Sequence, residues 1–179
     1  MSEKAVDDPG VAVPTEFSLS VLMQRSPSDS PWQDERWDVV GVTAARWDRS
    51  EPPGAVTLVH EQGEIRQYRH SGFRLRLHVD ECESYYHNLR APAPQCFVIA
   101  GEDGEGRPVP FLVSLSFDEA NAYQEGDGVV YAVAMPPELY RWCELFVLDH
   151  YVPEKKKKRR LTDWRKAGDD LAIKAARHE

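Results

Sequence analysis

Residues 73–79, Phe73-Arg-Leu-Arg-Leu-His-Val79, alternate apolar and polar side chains without a break. Successive side chains on an extended chain point to opposite faces, so Phe73, Leu75, Leu77 and Val79 fall on one side and Arg74, Arg76 and His78 on the other. A helical period of 3.6 would scatter the same apolar residues around a cylinder, and the segment therefore dictates a strand with one buried face. A lone strand is not stable in water. The chain must supply strands to pair with it and a second layer to cover its apolar side.

The sequence before it offers those partners. Phe17-Ser-Leu-Ser-Val-Leu-Met23 alternates at Phe17, Leu19 and Val21, and a polar turn from Ser26 to Pro31 closes it. Asp38-Val-Val-Gly-Val-Thr43, Ala55-Val-Thr-Leu-Val-His60 and Glu64-Ile-Arg-Gln-Tyr-Arg69 are rich in β-branched residues, with Pro52-Pro53-Gly54, Gln62-Gly63 and Ser71-Gly72 as punctuation. This pattern predicts a meander of short antiparallel strands. Further on, Gln95–Ala100 and Val109–Phe117 read as a second hairpin across the loop Gly101–Gly106, and Val129–Met135 as one more strand.

Three helices complete the list. Asp80 is placed to cap Glu81–Leu89, with Glu83 three residues on as its capping-box partner, and Pro92 and Pro94 end that helix. Asp118 is placed to cap a short helix through Gln124. Pro136-Pro137 opens a longer one, about 137–151, where Leu139, Trp142, Cys143, Phe146, Val147 and His150 recur on one face. With 179 residues to form one modest core, the expected fold is α+β. It is an antiparallel, partly barrel-like sheet with two short helices and a longer C-terminal helix, then an extended basic tail. Residues 1–15 read as a floppy leader, 16–154 as a single domain, and 155–179 as the tail.

The formal charge of −8 hides that division. Residues 1–154 hold 12 basic and 26 acidic residues, a formal −14, whereas 155–179 hold 10 and 4, a formal +6. Six consecutive cations, Lys155-Lys-Lys-Lys-Arg-Arg160, repel one another and stay solvated. Beyond them Trp164, Ala167 and Leu171 share a helical stripe that orders against a partner. No run approaches the roughly 20 apolar residues of a membrane span. Cys82, Cys96 and Cys143 are odd in number and widely spaced, as free thiols of a cytoplasmic protein would be.

Ser30-Pro-Trp-Gln-Asp-Glu-Arg-Trp-Asp-Val-Val-Gly-Val42, Leu77-His-Val-Asp-Glu-Cys-Glu-Ser-Tyr-Tyr-His-Asn-Leu89, Phe117-Asp-Glu-Ala120 and Met135-Pro-Pro-Glu-Leu139, the last continuing to His150-Tyr151-x-Pro153-Glu154 and the basic run, resemble the bacterial family catalogued as domain of unknown function 3305. The resemblance covers about 17–160. It implies a gene neighbourhood beside molybdenum- or tungsten-dependent formate dehydrogenases, and so an accessory, assembly or regulatory role. The chain departs from the family pattern after Phe117, where Asn121-Ala-Tyr-Gln124 stands in place of a tryptophan-containing helix. Residues 161–179 lie outside the resemblance.

No motif asks for catalysis, a metal or a cofactor. His78, Cys82 and His87, with His60, His70 and Cys96, lack ligand spacing. Ser114 and Ser116 stand outside any Gly-x-Ser-x-Gly elbow. The acidic loop Gly101–Gly106 would repel a nucleotide. Three surfaces remain as candidate partner-binding sites. Arg74, Arg76 and His78 form a cationic strand face, to which Arg66 and Arg69 can add. Trp32, Arg36 and Trp37 form a stacked aromatic and guanidinium unit. Lys155, Lys156, Lys157, Lys158, Arg159 and Arg160 form the arm. The arm is expected to meet an acidic protein surface, formate dehydrogenase subunits or their maturation factors by the resemblance, or to fold back on the acidic body. Nucleic acid is disfavoured by the −14 body.

The resulting expectation is a non-enzymatic cytoplasmic accessory protein. Two alternatives stand beside it. One is a small-molecule or anion-binding sensor or enzyme with a pocket near His78, Tyr85 and Tyr86. The other is a nucleic-acid-binding regulator acting through the tail.

Overall fold

The computed structural model describes residues 13–44, 52, 54–126 and 128–152. Seven strands and three α-helices follow one another as β1 (Glu16–Pro27), β2 (Glu35–Ala44), β3 (Val56–Gln62), β4 (Ile65–Arg76), α1 (Cys82–Leu89), β5 (Gln95–Glu102), β6 (Pro108–Ser114), α2 (Phe117–Glu125), β7 (Val129–Ala134) and α3 (Pro137–His150). The α+β class and the three helices agree with the sequence reading. The sheet does not. There are two antiparallel sheets, ordered β2-β1-β4-β3 and β6-β5-β7, and neither closes into a barrel.

The first four strands are not a meander either. β1 pairs with β2 on one side and with β4 on the other, so the first strand is a spine and the β3–β4 hairpin folds back onto it. Adjacency in sequence predicts a meander. Burial decides otherwise, because Leu19, Val21 and Met23 of β1 are all wholly buried and a central position covers them best.

Ser71-Gly72 does not separate two strands. β4 runs through it as a bulge: Leu19 pairs with Phe73 and Val21 with His70, so three steps along β4 match two along β1. Gly72 takes φ +91°, a conformation that glycine adopts without strain. The Ser71 N–H still donates to the Ala55 carbonyl at 3.0 Å, which keeps the ladder to β3 joined across the irregularity.

The alternation of residues 73–77 holds, with Leu75 and Leu77 buried and Arg74 and Arg76 exposed. It ends there. Val79 is 58% exposed because a 3-10 turn, Val79–Glu81, follows and breaks the period. The inner faces of both sheets share one core with α1 and α3, including Leu19, Val21 and Met23 from β1, Cys96 and Val98 from β5, Tyr85 from α1, and Leu139, Cys143 and Phe146 from α3. β5 is buried on both faces. Phe97 and Ile99 point the other way, into a smaller cluster with Ala120 of α2.

α3 matches its sequence signature closely. Pro137 opens it, and Leu139, Trp142, Cys143, Phe146 and Val147 are buried at the expected spacing. His150 is exposed at the end of that face, its ring stacked on Phe146 at 4.3 Å between centroids. The Trp142 Nε1–H donates to the Pro14 carbonyl, and Phe17 packs on the Trp142 ring at 5.2 Å, so α3 is joined to the start of β1.

Candidate functional site

The starts of α1 and α2 meet the end of β6, and there the polar residues of the interior gather. Ser84, Ser114 and Ser116 are all buried. The Ser116 hydroxyl donates to Glu81 and accepts from the Glu119 N–H at 3.1 Å, which makes it the N-cap of α2. Ser84 Oγ accepts from the Phe117 and Asp118 N–H groups at 2.9 and 3.3 Å, satisfying two further donors of the same helix end. Ser84 and Ser116 oxygens lie 3.2 Å apart. A hydroxyl has one proton, and since that of Ser116 goes to Glu81, Ser84 is the donor between them. Ser114 donates to Glu119 in turn.

Two expected caps are thereby corrected. Asp118 does not cap α2; Ser116 does, and residues 116–119 read Ser-Phe-Asp-Glu, a capping-box order that begins two positions before Asp118. Asp80 does not cap α1 either. No side chain does, and Glu81, at the N-cap position, is engaged by Ser116 instead. Phe117, expected at the end of a strand, begins α2.

Beside this junction a cleft of about 320 Å³ opens between α1, the 91–95 loop and α2. Phe97, Phe117, Ala91 and Ala93 give it apolar walls, with His87 and Asp118 as its titratable residues. Phe117 is 54% exposed and meets Phe97 edge-on at 5.8 Å. Asn88 also lines the cleft, but its side chain is occupied: Nδ2 donates to the Gln95 and Leu115 carbonyls at 2.8 Å each, and Oδ1 accepts from the Gln95 N–H at 3.0 Å. The lining is chemically suited to a flat apolar group with a donor or cation that reaches Asp118.

The pocket expected near His78, Tyr85 and Tyr86 is not this one, and none of the three lines it. Tyr85 is buried in the core, where its hydroxyl takes the His78 backbone N–H at 3.3 Å and burial pushes its phenol well above the usual range. Tyr86 packs on Tyr151 at 4.9 Å, with Arg90 over its ring at 5.6 Å. The tyrosines face the core and the end of α3 because α1 is held between α3 on one side and α2 on the other.

The other sequence candidates separate as follows. Arg74 and Arg76 do share a face, and both approach Glu16, at 3.9 and 3.1 Å, so that face is an ion-pair network on exposed strand ends. His78 lies beyond the strand, at the head of the 3-10 turn, and is exposed. Arg66 pairs with Glu61 at 2.6 Å. Trp32, Arg36 and Trp37 do not form a stacked unit. Trp32 stands in the β1–β2 turn at 89% exposure, Arg36 pairs with Asp38 at 2.6 Å, and Trp37 turns to the opposite face of β2 against Tyr68, at 5.6 Å. Neighbouring residues of a strand cannot stack on each other, since they point to opposite faces. Lys155–Arg160 lie outside the described residues.

One surface was not singled out in the sequence. Leu145, Leu148 and Val152 are 54%, 75% and 82% exposed. Leu145 and Leu148, three residues apart, lie along the outer side of α3, opposite the face that fills the core, and Val152 follows just past the end of the helix. The core stripe of α3 is so strong that it accounts for the helix by itself and draws attention from the second stripe.

The three cysteines are buried free thiols. Burial pushes Cys96 and Cys143 up to about 12 and raises Cys82. Among the described residues no three His, Cys, Asp or Glu side chains are grouped to hold a metal ion, and no helix is long and apolar enough to cross a membrane. A family model described as "Protein of unknown function (DUF3305)" matches residues 18–160. No curated protein and no solved structure matches the chain.

Proposed function

The chain belongs to the DUF3305 family of proteins of unknown function, and from that premise we propose that it is a non-enzymatic accessory protein of the cytoplasm that assists assembly or activity of a molybdenum- or tungsten-dependent formate dehydrogenase through protein–protein contacts. The enzyme is named by the gene neighbourhood that the resemblance implies. The recognition chemistry is argued from the surface.

The observation that carries this reading is the outer stripe of α3. Leu145 and Leu148 on the outer side of a helix whose other face is already buried, with Val152 exposed just past its end, resemble the anchors of a helix that lies in a partner's groove. The basic run begins three residues after Val152, so it is tethered beside the stripe and suits a groove rimmed with carboxylates. Exposed Trp32 offers a further anchor of the kind that dominates interface energies.

Affinity capture with the full chain from cells grown on formate tests the proposal. Formate dehydrogenase subunits are expected in the captured fraction, and the Leu145→Glu, Leu148→Glu double variant is expected to lose them while keeping its fold. Recovery of no dehydrogenase subunit from cells that contain the enzyme overturns the reading.

A further inference from the structure

We infer that the cleft between α1 and α2 is a docking site for the chain's own C-terminal segment, with Trp164 as the side chain that enters it. The inference concerns a different surface from the outer stripe of α3 and does not depend on who the external partner is.

Three observations converge on this occupant. The first is where the described chain ends. Tyr151 packs on Tyr86 at 4.9 Å, and Tyr86 in turn meets the ring of His87, a cleft residue, at 5.5 Å. The described chain therefore ends beside α1, next to a residue that adjoins the cleft wall. The second is length. Trp164 stands twelve positions beyond Val152, a reach of up to about 40 Å when extended, which is ample for the short path around α1.

The third is chemistry. The cleft offers Phe97 and Phe117 as edge and face for an aromatic ring, alanines at 91 and 93 that leave room for it, and the Asp118 carboxylate among its lining residues. Residues 161–166 read Leu-Thr-Asp-Trp-Arg-Lys, so the indole comes with two adjacent cations, Arg165 and Lys166. An indole has about 200 Å² to bury and an N–H to donate, and the guanidinium beside it can pair with Asp118. The six cations at 155–160 complement a body with a large formal acidic excess, to which Glu83 on α1 belongs, and that attraction favours a seat on the body. The outer stripe of α3 is a poorer seat for Trp164, because a convex helix face cannot enclose a ring.

A spin label attached through Ala167→Cys in the full chain tests the assignment by nuclear magnetic resonance. Labelling is selective because the native thiols are buried. Loss of amide signal intensity is expected at Ala91, Ala93 and Phe117, with recovery when Trp164→Ala is added and retention with Trp164→Phe. Unchanged amide positions for the core strands and α3 in each variant serve as the check that the fold is intact. The inference is overturned if the loss falls on Leu145 and Leu148 instead, if there is no loss, if it survives Trp164→Ala, or if it arises only between labelled and unlabelled copies in a mixture.

Discussion

The hydroxyl oxygens of Ser84 and Ser116 lie 3.2 Å apart, although the two residues are 32 positions apart in the chain. Through them the first turn of α1 holds the first turn of α2. Ser84 takes two N–H groups of α2, Ser116 takes a third, and Ser116 returns its own proton to Glu81 at the start of α1. The junction fixes one side of the cleft, since Ser84, Phe117 and Asp118 all line it.

Ser116→Ala is expected to destabilise the fold by about 2 kcal/mol, of which about 1 is the lost cap and the rest the buried partners left without a hydrogen bond. Asp118→Ala is expected to cost less than half as much, because Asp118 adds charge at the helix start but makes no cap hydrogen bond. Urea unfolding of both variants distinguishes them, and equal losses would contradict Ser116 as the cap.

Stability is expected to fall in alkali. Burial holds the Cys96 and Cys143 thiols at about 12 and raises Cys82 and Tyr85, so each ionises more readily once unfolded. A raised folded pKa contributes stability that is complete below the unfolded value, about 8.5 for a thiol, and that is lost as pH rises toward the folded one. Urea midpoints measured from pH 8 to pH 11, compared with a Cys96→Val variant, check this: the variant should decline less steeply, and parallel curves would refute the assignment.

His70 acts at the acid end. Its half-buried ring has a pKa lowered by burial, so the unfolded chain takes up the proton first. Its contribution is present above about pH 6.5 and is lost as pH falls from there toward the lowered value. The His70→Gln variant should show a shallower loss between pH 6.5 and pH 5 than the parent; the same slope in both would assign the acid sensitivity to other groups.

Gly72→Val is expected to cost about 1–3 kcal/mol through backbone strain at φ +91°, whereas Gly104→Ala, which meets nothing within 4 Å and has no positive φ, should stay near the parent. Thermal unfolding of the pair tests the bulge. A well-tolerated valine at 72 would mean that β4 straightens and re-registers against β1.

Much of the fold was legible because its signals are local. The alternation at Leu19, Val21 and Met23, the continuous apolar run from Cys96 to Ala100, and the spacing of Leu139, Trp142, Cys143, Phe146 and Val147 each declare an element and its buried face within a few residues. The caps are not local in this way. Asp80 and Asp118 have the right chemistry at nearly the right place, but which side chain caps a helix depends on the partner in reach, and Ser116 has Ser84 and Glu81 against it.

The candidate sites divide in the same way. Arg74 and Arg76 share a face because a strand's period is local, while their counter-ion, Glu16, comes from the neighbouring strand β1, where it stands opposite Arg76, far away in sequence. The cleft unites residues from α1, the loop after it, β5 and α2, and no spacing within one segment encodes that meeting.

By itself the sequence determined the α+β class, the faces of the main strands, the last core helix, and the division between an acidic body and a basic arm. The tertiary structure alone decided that β1 is the spine, that the strands split into two sheets rather than one, that Ser71-Gly72 is a bulge, and that the cleft lies between α1 and α2. Period and charge are properties of neighbouring residues. Pairing order, capping and concavity follow from which distant surfaces bury each other most completely.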